Sequence, residues 1–324
     1  MEKRKLGSTG FEIAPLVLGG NVFGWTADEA TSFDVLDAFV AGGGNMIDTA
    51  DSYSRWAPGH QGGESETVIG HWIDRRGHHN DVLIATKVGS DMGHGHKVLR
   101  KDYILKMAEE SLWRLQVDCI DLYQSHWDDE NTHFDETLSA YDQLLRQGKI
   151  RAIGASNLSA PRLQQALAVS AKTGLPRYAT LQPHYNLYER ASFEGELQQL
   201  CVRENIGVIG YFALASGFLT GKYRSEADFG KSKRGEGMKK FLNPRGMKIL
   251  DALDAVAQRL NATPAQVALA WLMAQPGVAA PIASATSVAQ VEQLLPAMTL
   301  RLDAQAMQAL DFREESGANV GRPL

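Results

Sequence analysis
The chain of 324 residues carries 33 Lys and Arg against 38 Asp and Glu, a net charge of -5, which leaves no basic footprint for nucleic acid and no like-charged tail. With 44% apolar and 22% charged residues the composition is that of a globular protein whose core needs neither disulfides nor a metal to hold it. Two cysteines, Cys119 and Cys201, and an opening Met1-Glu2-Lys3-Arg4-Lys5 without an apolar run predict a reducing, cytoplasmic setting and no signal peptide.

In chain order, short apolar runs alternate with longer segments of helical period. After an opening hairpin over 4–13 come eight candidate strands, at 15–18, 45–48, 82–87, 119–124, 150–156, 178–182, 207–212 and 278–283. Several are almost continuously apolar, as parallel strands covered on both faces are. Between them the pattern predicts helices over 28–41 (stopped by Gly42-Gly43-Gly44), 101–115, 135–147, 159–173 with Ser159 as N-cap, and 194–205. The last part adds helices over 247–260, 264–274 with Thr263 as cap, 288–296, and a final one over 303–313 outside the barrel. The stretch 260–291 has no charged residue, but Gln266, Gln275 and Gln290 interrupt it and three prolines punctuate it. A buried helix followed by a buried strand, with no membrane span, accounts for it.

Eight strand–helix units without a break in composition predict one (β/α)8 TIM barrel domain over 1–324, with an N-terminal β-hairpin plugging the bottom and an extra C-terminal helix. An open doubly wound sheet is the rival architecture. Its Gly-rich turn is missing, because Leu18-Gly19-Gly20-Asn21 lacks the G-x-G-x-x-G spacing.

In such a barrel the active site gathers at the C-terminal ends of the strands. The side chains that fall there are Asp48 and Tyr53 after the second strand, Lys87 ending the third and His126 after the fourth. Ser156 and Asn157 follow the fifth, Gln182 ends the sixth and Tyr211 ends the seventh. Each has a plain structural reading: a solvated carboxylate, a surface lysine, a structural or metal-binding histidine, a core tyrosine. Together they suit carbonyl reduction. Hydride delivery to C=O leaves an alkoxide that needs a proton. A phenol of ordinary pKa, about 10, is too weak an acid unless a cation stabilises its phenolate. Lys87 is placed to be that cation, Asp48 to hold the ammonium, and His126 to hydrogen-bond the carbonyl oxygen.

The segment Asn45-Met46-Ile47-Asp48-Thr49-Ala50-Asp51-Ser52-Tyr53 resembles the aldo-keto reductase signature around its Asp and Tyr. Ile84-Ala85-Thr86-Lys87 and Asp121-Leu122-Tyr123-Gln124-Ser125-His126 resemble that family's lysine and histidine strands. Further on, Gly148-Lys149-Ile150-Arg151-Ala152-Ile153-Gly154-Ala155-Ser156-Asn157, Leu181-Gln182-Pro183-His184-Tyr185-Asn186 and Gly217-Phe218-Leu219-Thr220-Gly221-Lys222-Tyr223 also resemble the family pattern. The resemblance implies a dinucleotide site without a Gly-rich fingerprint. Ser156, Asn157 and Gln182 would hold the nicotinamide carboxamide, with Tyr211 stacked on the ring. Phe212, Ala213, Leu214, Ala215, Ser216, Gly217, Leu219 and Lys222 would follow the pyrophosphate, and Ser284, Thr286, Ser287, Gln290 and Gln293 would reach the adenosine half. Many relatives carry a basic residue near Thr286-Ser287 and an Asn near Leu294; both are missing here. NADP(H) is the favoured cofactor and NAD(H) the alternative, since hydroxyls hydrogen-bond a phosphate without pairing its charge.

The expected partner is a small carbonyl substrate, and the oligomeric state is open. Loops after strands bring Asn21, Phe23, Trp25, Trp56, Trp127 and Tyr188 to the mouth, a lining that suits apolar or aryl carbonyls. The insert 54–63 directly follows Tyr53. The basic, aperiodic segment 225–245 reads as an exposed loop that folds over the dinucleotide. A cofactor-retaining regulatory subunit, like the potassium-channel β subunits, and a metal-dependent barrel hydrolase are the other classes weighed. The presence of all four catalytic residue types favours an enzyme, and no metal site is expected.

Overall fold
The computed structural model describes residues 2–312. Its first element is a two-stranded antiparallel hairpin, β1 (Arg4–Lys5) with β2 (Glu12–Ile13). Leu6, Phe11 and Ile13 of this hairpin share a buried cluster with Val17, Met46, Ala85, Leu122 and Ile209. The Arg4 guanidinium donates to the Met273 carbonyl at 2.7 Å. Gly7, at φ +52°, lies so close to Gly207 that a side chain there would meet the Gly207 nitrogen at 2.4 Å. The hairpin thus plugs the barrel interior from the end opposite the candidate site.

Eight parallel strands follow and close into a barrel. They are β3 (Val17–Gly19), β4 (Met46–Asp48), β5 (Leu83–Val88), β6 (Ile120–Ser125), β7 (Ile150–Ser156), β8 (Thr180–Gln182), β9 (Gly207–Gly210) and β10 (Val278–Ala283). Their order around the barrel follows the chain, with β10 returning to β3. β6 and β10 are buried at every position, as strands walled by side chains inside and helices outside must be. The expected (β/α)8 barrel is the fold observed.

Each barrel strand from β3 to β8 is followed by one helix: α1 (Glu29–Ala41), α2 (Glu64–Arg76), α3 (Lys101–Leu115), α4 (Phe134–Arg146), α5 (Ala160–Thr173) and α6 (Glu196–Arg203). Local chemistry sets their ends. Asp28 caps α1, accepting from the Thr31 N–H at 2.9 Å, and Gly43 at φ +91° turns the chain away. Ser159 caps α5, which closes on Gly174 in the left-handed region. α2 is absent from the sequence expectation, although Val68, Ile69, Trp72 and Ile73 form its buried face.

After β9 the chain makes three short 3-10 stretches before α7 (Pro244–Leu260) and α8 (Pro264–Met273). Thr263 and Gln266 form a reciprocal capping box at the start of α8. The expected helix over 288–296 is shorter, α9 (Val288–Leu294), because Pro296 falls in a 3-10 turn over Leu295–Met298. The final helix is α10 (Ala304–Ala309); its expected end at Arg313 lies outside the described residues. Among the described residues, no helix is long and apolar enough to cross a membrane.

Candidate active site
The site is built on one rung of the barrel. Lys87 on β5 is level with Gln124 on β6, which is level with Gly154 on β7, and Gly154 with Thr180 on β8. Gly154 is what makes this layer fit: a Cβ there would lie 2.1 Å from Thr180 Oγ1 and 3.1 Å from Gln124 Cγ. Asp48 ends β4 beside this rung, wholly buried like Lys87.

Lys87 uses its three ammonium hydrogens on three fixed acceptors: Asp48 Oδ2 at 2.7 Å, the Thr49 carbonyl at 2.8 Å and the Tyr53 hydroxyl at 2.9 Å. The other Asp48 oxygen accepts from Gln182 at 2.8 Å and from Gln124 at 3.3 Å. The two side chains form a buried ion pair whose remaining hydrogen-bonding positions are filled by neighbouring groups. Burial pulls the Lys87 ammonium below its ordinary range, against the upward pull of Asp48. Burial, then the Asp48 charge, hold the Tyr53 phenol well above its own. At rest Tyr53 is therefore a protonated phenol whose oxygen already accepts from an ammonium. That is the arrangement of an acid whose conjugate base has been provided for in advance.

His126 stands against Tyr53, ring centroids 6.0 Å apart and nearly perpendicular. Its Nδ1 meets Ser90 Oγ at 2.9 Å and Ser52 Oγ at 3.5 Å, and Trp127 stacks beside it at 5.9 Å. Burial, with Lys87 and Lys97 nearby, pushes its pKa well below the usual histidine range. The imidazole is neutral, and with Nδ1 engaged its Nε2 is the nitrogen free to reach a ligand.

Around the rim from β7 to β10 lie the residues assigned to a dinucleotide. Ser156 Oγ donates to the Gln182 carbonyl at 2.7 Å. Asn157, at φ +57°, donates from Nδ2 to the His126 carbonyl at 2.9 Å and accepts from the Tyr211 hydroxyl at 2.8 Å. Tyr211 lies just past β9 and stacks on His184 at 5.3 Å. Phe212, Ala215, Ser216 and Gly217 all have positive φ, so the loop curls tightly, and a Cβ on Gly217 would lie 3.7 Å from Lys222 Nζ. A curled backbone beside one ammonium is a chemical match for a pyrophosphate. Ala213 and Leu219 are buried in the core, leaving Leu214 half-buried and Phe212 and Lys222 exposed. At β10, Ser284 donates to Asn21 Oδ1 at 2.6 Å. Ser287 caps α9, and Gln290 Oε1 accepts from the Thr286 N–H at 2.9 Å. Gln293 is exposed, with its carbonyl accepting from Gln266.

A model of the aldo/keto reductase family matches residues 15–314. The chain belongs to the aldo-keto reductase family. It is 34% identical to the oxidoreductase YrpG of Bacillus subtilis over 96% of this chain and 95% of that one. It is 34% identical to the B. subtilis aldo-keto reductase YhdN over 91% and 88% of the two chains. Protein tas of Escherichia coli is 31% identical over 96% and 97%. The family is one of oxidoreductases that generally use NAD(P)H.

In this aldo-keto reductase the mouth residues divide. Trp25 and Trp56 meet edge to face at 5.6 Å, and Trp56, 51% exposed, lies 6.0 Å from the Tyr53 ring. With Trp127 they wall the approach to Tyr53 and His126. Phe23 is wholly buried in the core, and Tyr188 packs on Phe241 at 4.9 Å under the 225–241 segment. That segment is folded into two 3-10 stretches, Glu226–Lys231 and Gly235–Phe241, where an irregular loop is expected. Sequence reasoning missed the groups that brace the site: Gln124 on Asp48, Ser90 on His126 and His184 under Tyr211. Gln124 sits inside a quoted motif, but its role follows only from register with Lys87. Among the described residues, no group of three or more His, Cys, Asp or Glu is placed to hold a metal ion.

Proposed function
We propose that this aldo-keto reductase reduces aldehydes or ketones to alcohols, reversibly, with NADPH favoured over NADH and Tyr53 as the proton donor. One observation carries the reading: the Lys87 ammonium lies within 2.9 Å of the Tyr53 oxygen and 2.7 Å of Asp48. The dinucleotide supplies the hydride when bound. Ser156, Asn157 and Gln182 would hold its carboxamide through their hydrogen-bonding groups, and Tyr211, backed by His184, would stack on the ring. The curled loop at Gly217 and Lys222 would hold its pyrophosphate charge.

The carbonyl oxygen sits between the Tyr53 hydroxyl and His126 Nε2. As negative charge grows on it, His126, held by Ser90 as the Nε2–H tautomer, donates a hydrogen bond. Tyr53 then transfers its proton, and Lys87 stabilises the phenolate left behind. Asp48 keeps Lys87 oriented and charged. In the reverse direction the phenolate removes the proton from an alcohol. Trp25, Trp56 and Trp127 exclude water and select an apolar or aryl carbonyl substrate. The test is NADPH oxidation by the purified protein across a panel of aliphatic and aryl aldehydes. Oxidation matched by alcohol formation is expected; tight NADPH binding with no oxidation by any carbonyl would overturn the proposal.

A further inference from the structure
The mouth of the site holds a cation that none of these steps uses. Arg234 lies in the 225–241 segment, and its guanidinium carbon sits 5.4 Å from the centre of the Trp25 ring. Trp25 leads on to Trp56 at 5.6 Å, and Trp56 to the Tyr53 ring at 6.0 Å. The guanidinium thus stands at the outer end of a wall whose inner end is the proton donor. The backbone sets its place. The Arg234 N–H donates to Ser232 Oγ at 3.2 Å, and the Gly235 N–H to the Ser232 carbonyl at 3.0 Å. Ser232 Oγ is in turn 2.6 Å from the hydroxyl of Tyr223, a wholly buried residue. Gly235 leaves no room for a side chain, because a Cβ there would run into the Phe229 carbonyl. The turn that carries Arg234 is therefore fixed to the core.

That turn supplies no counterion. Within the segment Asp228 pairs with Lys231 at 2.7 Å and Glu226 with Lys239 at 3.6 Å. On the Trp25 side Glu64 accepts from the Gln61 and Gly62 N–H groups at 2.8 and 3.0 Å. Among the described residues Arg234 forms no ion pair, exposed Glu236 included, and its half-buried guanidinium donates no hydrogen bond. Burial pulls its pKa below the ordinary arginine range. A guanidinium offers five N–H donors in a planar fork, and holding its charge away from water without acceptors is costly. Lys97 gives the contrast. It lies over Trp127 at 4.4 Å, but it is exposed, so water solvates its charge. Of these two cations on the tryptophan walls, Arg234 is the one short of acceptors.

An arginine in that state, at the entrance to a small-molecule site, is completed by the ligand. We propose that Arg234 is a specificity-determining residue that binds a carboxylate on the substrate. The preferred carbonyl compound then has an apolar or aryl body with its anionic group at the end remote from the C=O. The inference rests on the function proposed above and narrows its substrate class. Trp25 and Trp56 flank the body, the carbonyl meets Tyr53 and His126, and the carboxylate takes the fork of Arg234 in two parallel N–H···O bonds. Arg234 moves no proton and touches no reacting atom. The phosphates of the dinucleotide are the competing anion. Lys222 is the cation beside the curled loop at Gly217, whereas Arg234 stands on the wall that leads to Tyr53.

The probes are 4-formylbenzoate and its methyl ester, alike in ring and aldehyde and different in charge. The wild type should favour the acid. In Arg234→Gln the ratio of kcat/KM for acid over ester should fall by about tenfold to a hundredfold, the range for hydrogen bonds to a charged group, with the loss in KM. Arg234→Lys should keep an intermediate preference, because it retains the charge and loses the fork. NADPH affinity, by fluorescence titration, should stay within about twofold in both variants. A wild type that does not favour the acid, or a ratio unchanged in Arg234→Gln, would overturn the proposal. So would weakened NADPH binding with equal losses for acid and ester, which would assign Arg234 to the dinucleotide phosphates. If Arg234→Gln fails to fold, Arg234→Lys decides, together with the wild-type ratio, which should fall as salt is raised. Binding of 4-formylbenzoate to the protein with NADP+, read by calorimetry and weaker in Arg234→Gln, needs no turnover. If the wild type oxidises NADPH with no carbonyl at all, the proposed function falls, and this titration still decides whether Arg234 binds a carboxylate.

Discussion

Replacing Lys87 by methionine removes the cation that lies 2.9 Å from the Tyr53 oxygen and 2.7 Å from Asp48. At an effective dielectric of about 20, a unit charge at that range stabilises a phenolate by about 6 kcal/mol. Tyr53 is half-buried, and water screens part of this, so about 3–6 kcal/mol is the expected loss. In rate that is roughly a hundredfold to ten-thousandfold on kcat/KM. The same change strands Asp48 as a buried carboxylate without its cation, left with Gln124, Gln182 and the Tyr53 hydroxyl at 3.4 Å, at a cost of about 3–5 kcal/mol in stability. The two effects separate in the double variant Lys87→Met, Asp48→Asn, which should regain most of the stability and none of the rate. NADPH oxidation and urea unfolding of the wild type and the two variants give both numbers. A Lys87→Met enzyme within tenfold of wild type in kcat/KM, correctly folded, would refute the reasoning.

Three further outcomes are expected. His126 has its pKa pushed well below the usual value of about 6.5, so the kcat/KM profile should show no acid limb near that pH; a limb that disappears in His126→Gln would contradict the neutral imidazole. Gly70→Ala would ordinarily stabilise a helix interior by about 1 kcal/mol, but here the new Cβ would lie 2.1 Å from the Arg114 carbonyl oxygen, where α2 crosses α3, so urea unfolding should show a loss. NADPH should slow proteolysis within the 225–241 segment, where Lys231 reaches the Lys222 carbonyl at 2.9 Å and Arg234 lies over Trp25; identical cleavage with and without NADPH would count against closure of this segment over the dinucleotide.

The barrel was legible because parallel strands covered on both faces must be apolar runs, and glycine or a cap ends most helices at a nameable residue. α2 escaped because its start is hidden behind the glycine-rich 54–63 insert. Its N-terminus is Gly63 at φ +88°, with no side-chain cap, so the usual start signal does not exist. Asp48, Tyr53, Lys87 and His126 were legible as a set because each lies at a strand end or in the turn just after one, and the C-terminal ends of strands are where a barrel gathers its site. Gln124 was printed in the same motifs, yet its surroundings depend on cross-strand register. That cannot be counted along a chain. The segment 225–241 lacks period because it is held by individual contacts, such as the tight approach of Gly235 to the Phe229 backbone.

The central claim is that Tyr53 gives the proton, and the direct measurement is Tyr53→Phe. The variant removes one hydroxyl, leaving the rim of Ser156, Asn157, Gln182 and Tyr211 as it was. NADPH affinity, read by fluorescence titration, should stay within about twofold, while aldehyde turnover should fall by about a thousandfold or more. A variant that binds NADPH normally and keeps most of its turnover would show that the proton comes from elsewhere.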